Sequence, residues 1–450
     1  MPGHKLGNGI PDEMADNLLK LDITETCGSG KKSFPYDEVE KAEKLAAKTF
    51  GADRTFFLVN GSTCGIHAVI MSMCKPKDKL ILGRDSHKSV INAMILNGVE
   101  PVYIKPKFNK DFGIPTVITP EQIESAIKKN PDVAGVIITR PNYYGICSDI
   151  EAIKAIADKY GKVLAVDEAH GAHLHFSEKL PVSSMKVGAD LCVQSAHKTL
   201  PVITQGAYLH IKGNKIRTET LRDNLDRIVT TSPSYIIMSL LDVARAVMES
   251  RGQKLFDELL NNIDCFKKKL KKSNCFEVLS KELLPGISYD MTRMVINASK
   301  CGMSGFELYR ILARDFNIHV EMADSNNIVC ICSVFDKPET FDRLYNALSK
   351  IKIHDKKSRL ETEVFTESLN VLEQKISFCD IRSTQTKKVK LRDSKGKVCM
   401  KTIIPYPPGI PVICPGEVIT DEIIKYIEKF CSLGCMITGI ENNMEVDIAI

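Results

Sequence analysis

The sequence predicts an α/β fold: a mainly parallel sheet with helices on both faces, then a small α+β domain and a C-terminal α+β module. Strand-like and helix-like segments alternate from about residue 37 to residue 211, the pattern of βα units on a parallel sheet. Residues 162–167 read Lys-Val-Leu-Ala-Val-Asp with no polar alternation. Both faces of such a strand must be covered, as at the centre of a parallel sheet. With 450 residues, 44% hydrophobic and 26% charged, the chain has an ordinary globular composition and length enough for two or three domains.

The elements follow in order. Residues 1–36 form an N-terminal segment. A helix at 37–50 precedes a strand at 55–58, and an apolar helix-like run covers 66–74. Apolar runs at 79–82, 101–104, 133–139, 162–167 and 189–193 read as strands, with helices at 119–129 and 149–160 between them. Leucine-rich helical sequence from 234 to 272 closes a large domain, 37–272. A small α+β domain, 273–352, carries strands at 293–298 and 328–334 and helices at 305–316 and 339–350. The charged stretch 353–359 reads as a linker into a third module, 353–450, helical from about residue 361 and then rich in Pro/Gly loops.

Composition excludes several classes. The net charge of +5, from 61 basic and 56 acidic residues, is small for this length and predicts no nucleic-acid partner. The densest basic stretch, 387–401, contains Asp393-Ser394-Lys395-Gly396 and reads as an exposed hairpin turn. No apolar run approaches the roughly twenty residues needed to cross a membrane. The 15 cysteines lie mostly in apolar segments, and with no signal peptide they suit a reduced, cytoplasmic protein. Cys431 and Cys435 have no second pair to complete a zinc site, so no metal is expected. Gly28-Ser29-Gly30-Lys31-Lys32-Ser33 is not a nucleotide phosphate loop, because Glu25 stands where the first glycine belongs and Lys32 where the hydroxyl belongs.

Four segments carry chemistry. Gln194-Ser195-Ala196-His197-Lys198-Thr199 places a lysine just past the carboxyl end of a buried strand, the edge where ligands of open α/β sheets gather. A lysine there can form a Schiff base with a carbonyl cofactor. Asp167 ends the strand 162–167 at the same edge, where a carboxylate can keep a pyridine nitrogen protonated. Asn60-Gly61-Ser62-Thr63 opens a helix, and free amides with two hydroxyls suit a phosphate. His87, in Arg84-Asp85-Ser86-His87, follows the strand 79–82 and can stack flat on a ring.

Phosphate loop, stacking histidine, ring-nitrogen aspartate and Schiff-base lysine stand in an order that resembles the pyridoxal-phosphate enzymes of fold type I. More narrowly, the chain resembles the bacterial ornithine/lysine/arginine decarboxylase family over essentially its whole length. The resemblance rests on Pro2-Gly3-His4-Lys5, Phe50-Gly51-Ala52-Asp53, His87-Lys88-Ser89 and Asp167-Glu168-Ala169-His170-Gly171. It continues through Ser195-Ala196-His197-Lys198, Thr230-Thr231-Ser232-Pro233, Tyr406-Pro407-Pro408-Gly409-Ile410-Pro411 and Pro415-Gly416-Glu417. It implies Lys198 as the cofactor lysine, Asp167 on the pyridinium nitrogen and His87 on the ring. Ser62, Thr63, Ser195 and His197 would hold the phosphate, with His170 near the ring. Thr231 or Ser232 would reach the phosphate of a neighbouring subunit, which requires a homodimer.

The activity implied is decarboxylation of a basic amino acid, with arginine slightly favoured over lysine or ornithine because the shorter arginine decarboxylases of spore-forming bacteria share this layout. His87 or Lys198 would return a proton to Cα. A basic side chain needs an anion in the pocket. Glu417 is the leading candidate, equally a surface acid capping the helix near Thr420, and Glu25 is the second. The rivals are another pyridoxal-phosphate activity, such as an aminotransferase or lyase, and an inert regulatory relative. Two departures from the family stand out: a start directly at Met1-Pro2-Gly3-His4-Lys5, which bears on dimer stability, and Gly30-Lys31-Lys32-Ser33-Phe34 where relatives carry an Asp-Leu-His-like stretch.

Overall fold

The computed structural model describes residues 1–24, 36–272, 276–351, 370–406, 409–432, 435–441 and 444–450. Glu25, the stretch 28–34, the linker 353–359 and the start of the third module near 361 lie outside the described residues.

A seven-stranded sheet organises the large domain: β1 (Arg54–Leu58), β2 (Lys79–Gly83), β3 (Glu100–Ile104), β4 (Gly135–Thr139), β5 (Val163–Asp167), β6 (Leu191–Gln194) and β7 (Ala207–Ile211), in the order β1-β7-β6-β5-β4-β2-β3. Neighbours from β6 to β3 run parallel, whereas β7 is antiparallel to both β6 and β1. The uncovered run in β5 is explained by its place. Ala165 packs into one core with Leu80, Ile137 and Val193, beneath helices α1 (Gly61–Met73) and α2 (Lys88–Asn97). Its neighbours Leu164 and Val166 pack into the opposite core with Ile81, Ile138 and helices α3 (Pro120–Lys129) and α4 (Ile150–Lys159). Side chains of a strand alternate between faces, so an apolar strand buried on both sides must read without alternation.

Helix α5 (Tyr235–Lys271) links the large domain to the smaller sheet. One core runs from Phe50 and Val202 through Leu240, Phe256 and Ile263 to Ile296 and Ile328. The smaller sheet centres on the antiparallel pair β8 (Arg293–Asn297) and β9 (Asn327–Ile331), flanked by two-residue strands. Helices α6 (Gly305–Phe316) and α7 (Pro338–Lys350) fall on the segments where the sequence predicts them.

The basic stretch 387–401 is not a hairpin. Strand β10 (Thr386–Lys390) pairs antiparallel with β11 (Glu445–Ala449), at the far end of the chain. The turn at Gly396 exists, with φ +72°, but the residues beyond it bridge Val398 to Val418 instead of returning along β10. Cys301 is disulfide-bonded, which departs from the expectation of reduced cysteines throughout; the other described cysteines are free. Among the described residues no group of side chains could hold a metal ion, and no helix is long and apolar enough to cross a membrane.

Candidate active site

Four loops at the carboxyl edge of the large sheet bring the site together. Asp167 is the last residue of β5, and its register partner on β6 is Val193, five residues before Lys198. After Gln194 the chain turns at Ser195 into one helical turn, Ala196–Thr199, which carries Lys198 back over the sheet edge. The Lys198 amine lies 3.1 Å from His170 Nε2, on the loop that follows β5. Burial lowers the Lys198 pKa from the usual lysine range, Asp167 pulls it back up, and Arg293 pushes it down again. A lysine so placed gives up its proton more readily and is a better nucleophile toward a carbonyl.

Asp167 is 3% exposed, and its Oδ1 accepts the Ala169 amide at 3.1 Å. Burial raises its pKa above the usual carboxylate range, and the Lys198 charge and the Ala169 amide offset part of that rise. The adjacent Glu168 points into the protein. It accepts Ser184 N at 2.9 Å, Ser184 Oγ at 2.6 Å and Gln194 Nε2 at 2.6 Å, which ties β5 to β6 beneath the site.

The segment expected to bind phosphate lies between β1 and α1. Gly61 has φ +76°, its amide donates to Gln205 O at 2.9 Å, and α1 begins there. Ser195 Oγ donates to Ser62 Oγ at 2.7 Å, so two hydroxyls from different strand ends meet at the N-terminus of α1. Thr63 is exposed on the same turn. His197 takes its place through two bonds to Gly206 O, from its amide at 3.2 Å and its Nδ1 at 3.0 Å, and burial pushes its pKa down to about 4.

His87 ends the loop after β2 and is the N-cap of α2. Its Nδ1 accepts the Ser89 amide at 3.2 Å and lies 2.9 Å from Ser89 Oγ. Burial, with the charges of Lys198 and Lys88, pushes its pKa down to about 3, so the ring is neutral. His170 is buried, with a pKa well below the usual range for the same first reason, and its Nδ1 has no partner among the described residues. Thr231 and Ser232 are exposed on the surface. Their segment is attached to the phosphate loop through Thr230 N, which donates to Asn60 Oδ1 at 3.2 Å.

Glu417 is placed unlike either expectation for it. It is 0% exposed, so it is no surface acid, and its Oε2 is taken by Arg84 Nη2 at 3.1 Å and the Cys414 amide at 2.6 Å. A carboxylate whose charge is spent on a buried arginine is not a free anion for a substrate cation. Sequence reasoning missed Arg293 altogether. This buried arginine at the start of β8 donates to His170 O at 3.0 Å, while its Nε and Nη1 find no acceptor among the described residues. A charged residue opening the otherwise apolar run Arg-Met-Val-Ile was the signal available. The N-terminal motif also has a visible role. The Gly3 amide donates to His197 O at 3.3 Å, and a Cβ there would lie 2.0 Å from Leu200 O, so only glycine lets the segment lie on the lysine turn.

This donor set fits pyridoxal phosphate. It offers a half-buried amine for the aldehyde, a carboxylate for the ring nitrogen, paired hydroxyls at a helix N-terminus for the phosphate, and a buried imidazole nitrogen with no partner among the described residues. Comparison with known proteins agrees. Residues 1–291 match the family model of the Orn/Lys/Arg decarboxylase major domain, and 358–446 match the Orn/Lys/Arg decarboxylase C-terminal domain. An arginine decarboxylase of Bacillus subtilis (strain 168) is 32% identical over 98% of this chain and 92% of its own. The inducible lysine decarboxylase of Escherichia coli (strain K12) is 23% identical over 98% of this chain and 76% of its own. The crystal structure of the Francisella novicida lysine decarboxylase LdcF superposes with a TM-score of 0.83 at 22% identity, covering 100% of this chain and 78% of that one. Matched over both its major and its C-terminal parts, the chain belongs to the Orn/Lys/Arg decarboxylase family of pyridoxal-phosphate enzymes.

Proposed function

We propose that the protein decarboxylates L-arginine to agmatine and carbon dioxide, with Lys198 as the residue that holds the cofactor. The observation that carries the substrate preference is length as well as identity. The chain covers 92% of the Bacillus subtilis arginine decarboxylase but only 76% of the longer Escherichia coli lysine decarboxylase, with 32% against 23% identity.

In this reading the chain's own residues divide the work. Lys198 would hold the cofactor through its carbonyl. Asp167 would keep the ring nitrogen protonated, and His87 would face the ring. Ser62, Thr63, Ser195 and His197 bind the phosphate from one subunit, and the exposed Thr231 or Ser232 reaches it from a second, which makes the functional unit a homodimer. Bound pyridoxal phosphate supplies the electron sink that makes loss of carbon dioxide from Cα feasible. The bond from Cα to the carboxylate breaks, and Cα takes up one proton in its place. A neutral imidazole is a weak acid, which favours Lys198 over His87 as the donor of that proton. The amine product suits a place in polyamine formation, and the cytoplasm is the proposed location.

The experiment is amine analysis of the purified, cofactor-loaded protein with arginine, lysine and ornithine in parallel. Agmatine is expected as the main product. Cadaverine or putrescine in its place refutes the arginine preference, and none of the three amines refutes decarboxylation. Carbon dioxide release without an added keto acid separates this activity from aminotransfer.

A further inference from the structure

We propose that the buried Arg84–Glu417 ion pair is a positioning device through which the C-terminal module sets the His87 loop against the cofactor; this rests on the reading that His87 faces the cofactor ring. The two residues are 333 positions apart, with side chains 1% and 0% exposed. Arg84 follows the last residue of β2, and its amide is fixed to the sheet by donation to Ile104 O at 2.9 Å. Its guanidinium turns outward into a single C-terminal loop. Nη1 donates to Pro411 O at 2.9 Å and lies 3.8 Å from Cys414 Sγ, while Nη2 donates to Val412 O at 3.0 Å and Glu417 Oε2 at 3.1 Å. The Tyr103 ring lies beneath, 5.2 Å from the guanidinium carbon.

Glu417 gives that loop its shape. The oxygen that meets Arg84 also takes the Cys414 amide at 2.6 Å. Gly416, at φ +87°, passes so close to Ile376 O that a Cβ would lie 2.2 Å from it. On the other side of the pair the distance to the site is short. Only Asp85 and Ser86, both buried, separate Arg84 from His87, and the chain advances at most about 3.6 Å per residue. The His87 loop is therefore pinned upstream by Arg84 and downstream by its cap on α2. Among the described residues Arg84 Nε and Glu417 Oε1 have no further partners, so the pair depends on one charged contact and the loop carbonyls. With the carboxylate charge removed, the guanidinium keeps only neutral acceptors and the upstream pin loosens. Arg84 and Glu417 are positioning residues, acting on the cofactor through His87.

The test is a double-mutant cycle read by cofactor affinity. Pyridoxal phosphate is titrated into the full-length protein, and its absorption and circular dichroism are followed for wild type, Glu417→Gln, His87→Ala and the double variant. Glu417→Gln is expected to weaken binding by about tenfold, within the range for coupled neighbours, and to alter the dichroism of the bound cofactor. In the His87→Ala background the same substitution is expected to change affinity by less than about twofold, the spread seen for independent sites. Equal weakening in both backgrounds would overturn the proposal, as would unchanged affinity and dichroism in Glu417→Gln. If Glu417→Gln does not fold, Arg84→Lys, which keeps the charge but loses the planar fork, enters the cycle with the same expectations. Turnover plays no part in this measurement. A protein that binds cofactor and yields no amine refutes the decarboxylase reading and leaves the positioning result standing.

Discussion

Asp167→Asn removes one negative charge from the end of β5 and almost nothing in volume. The side chain is 3% exposed, and an asparagine oxygen can still accept the Ala169 amide that now lies 3.1 Å from Oδ1. The change is therefore electrostatic. An opposite charge within a few ångström favours the charged form of its neighbour by about one to three pKa units, each worth about 1.4 kcal/mol. Losing it from the protonated cofactor ring costs about 1.4–4 kcal/mol, or about 10- to 1000-fold in turnover. Lys198 feels the loss as well. Asp167 is the largest influence raising its pKa, and Arg293 would then lower it with less opposition. The assay is carbon dioxide release from arginine at saturating cofactor, paired with a pH titration of the cofactor's visible band. A folded Asp167→Asn protein within about threefold of wild-type turnover, a difference of well under one pKa unit, would refute the reasoning.

Other substitutions separate binding from stability. Ser62→Ala removes the hydroxyl that meets Ser195 Oγ at 2.7 Å. Since a hydrogen bond to a charged group is worth about 1.5–3 kcal/mol, cofactor titration is expected to show affinity weakened about tenfold or more; unchanged affinity argues against Ser62 as a phosphate ligand. Glu168→Ala strands the Ser184 and Gln194 donors together with buried Arg140, whose Nη1 lies 3.8 Å from Glu168 Oε1. Urea denaturation is expected to show a loss of about 3–5 kcal/mol, and a loss under about 1 kcal/mol contradicts the network's role. His210, whose Nδ1 lies 2.8 Å from Thr55 Oγ1 and Nε2 3.1 Å from Gln194 Oε1, has its pKa pushed down to about 3 by burial and by His175. Its folded pKa lies below the unfolded one, so the stability tied to its neutral form is full above pH 6.5 and is lost as pH falls. The stability advantage of wild type over His210→Gln is accordingly expected to shrink by about 1.4 kcal/mol per pH unit below 6.5. A constant difference from pH 7 to pH 5 contradicts this.

Much of the site was legible because it is local. Asp167 and Lys198 each follow a run of buried apolar residues, and such runs place the next polar residue at a sheet edge. Ser62 and Thr63 sit where a glycine-led turn must open a helix, and His87 where a strand ends before one. What escaped the sequence depends on distant partners. Glu417 looked equally like a surface cap or a substrate anion, because nothing near it in sequence announces Arg84, 333 residues earlier. Strand β10 looked like half of a hairpin because its turn residues are correct, yet its hydrogen bonds go to β11. Arg293 carried no motif, and its meaning comes from the His170 carbonyl above it. Local periodicity reveals an edge, whereas the identity of what crosses it is set by tertiary contacts.

Lys198 is proposed as the one lysine that holds the cofactor. Borohydride reduction of the cofactor-loaded protein, followed by peptide mass analysis, tests it directly. A pyridoxyl adduct is expected on the peptide containing Lys198, lost in Lys198→Ala together with the visible cofactor band. An adduct on another lysine, or none at all, would contradict it.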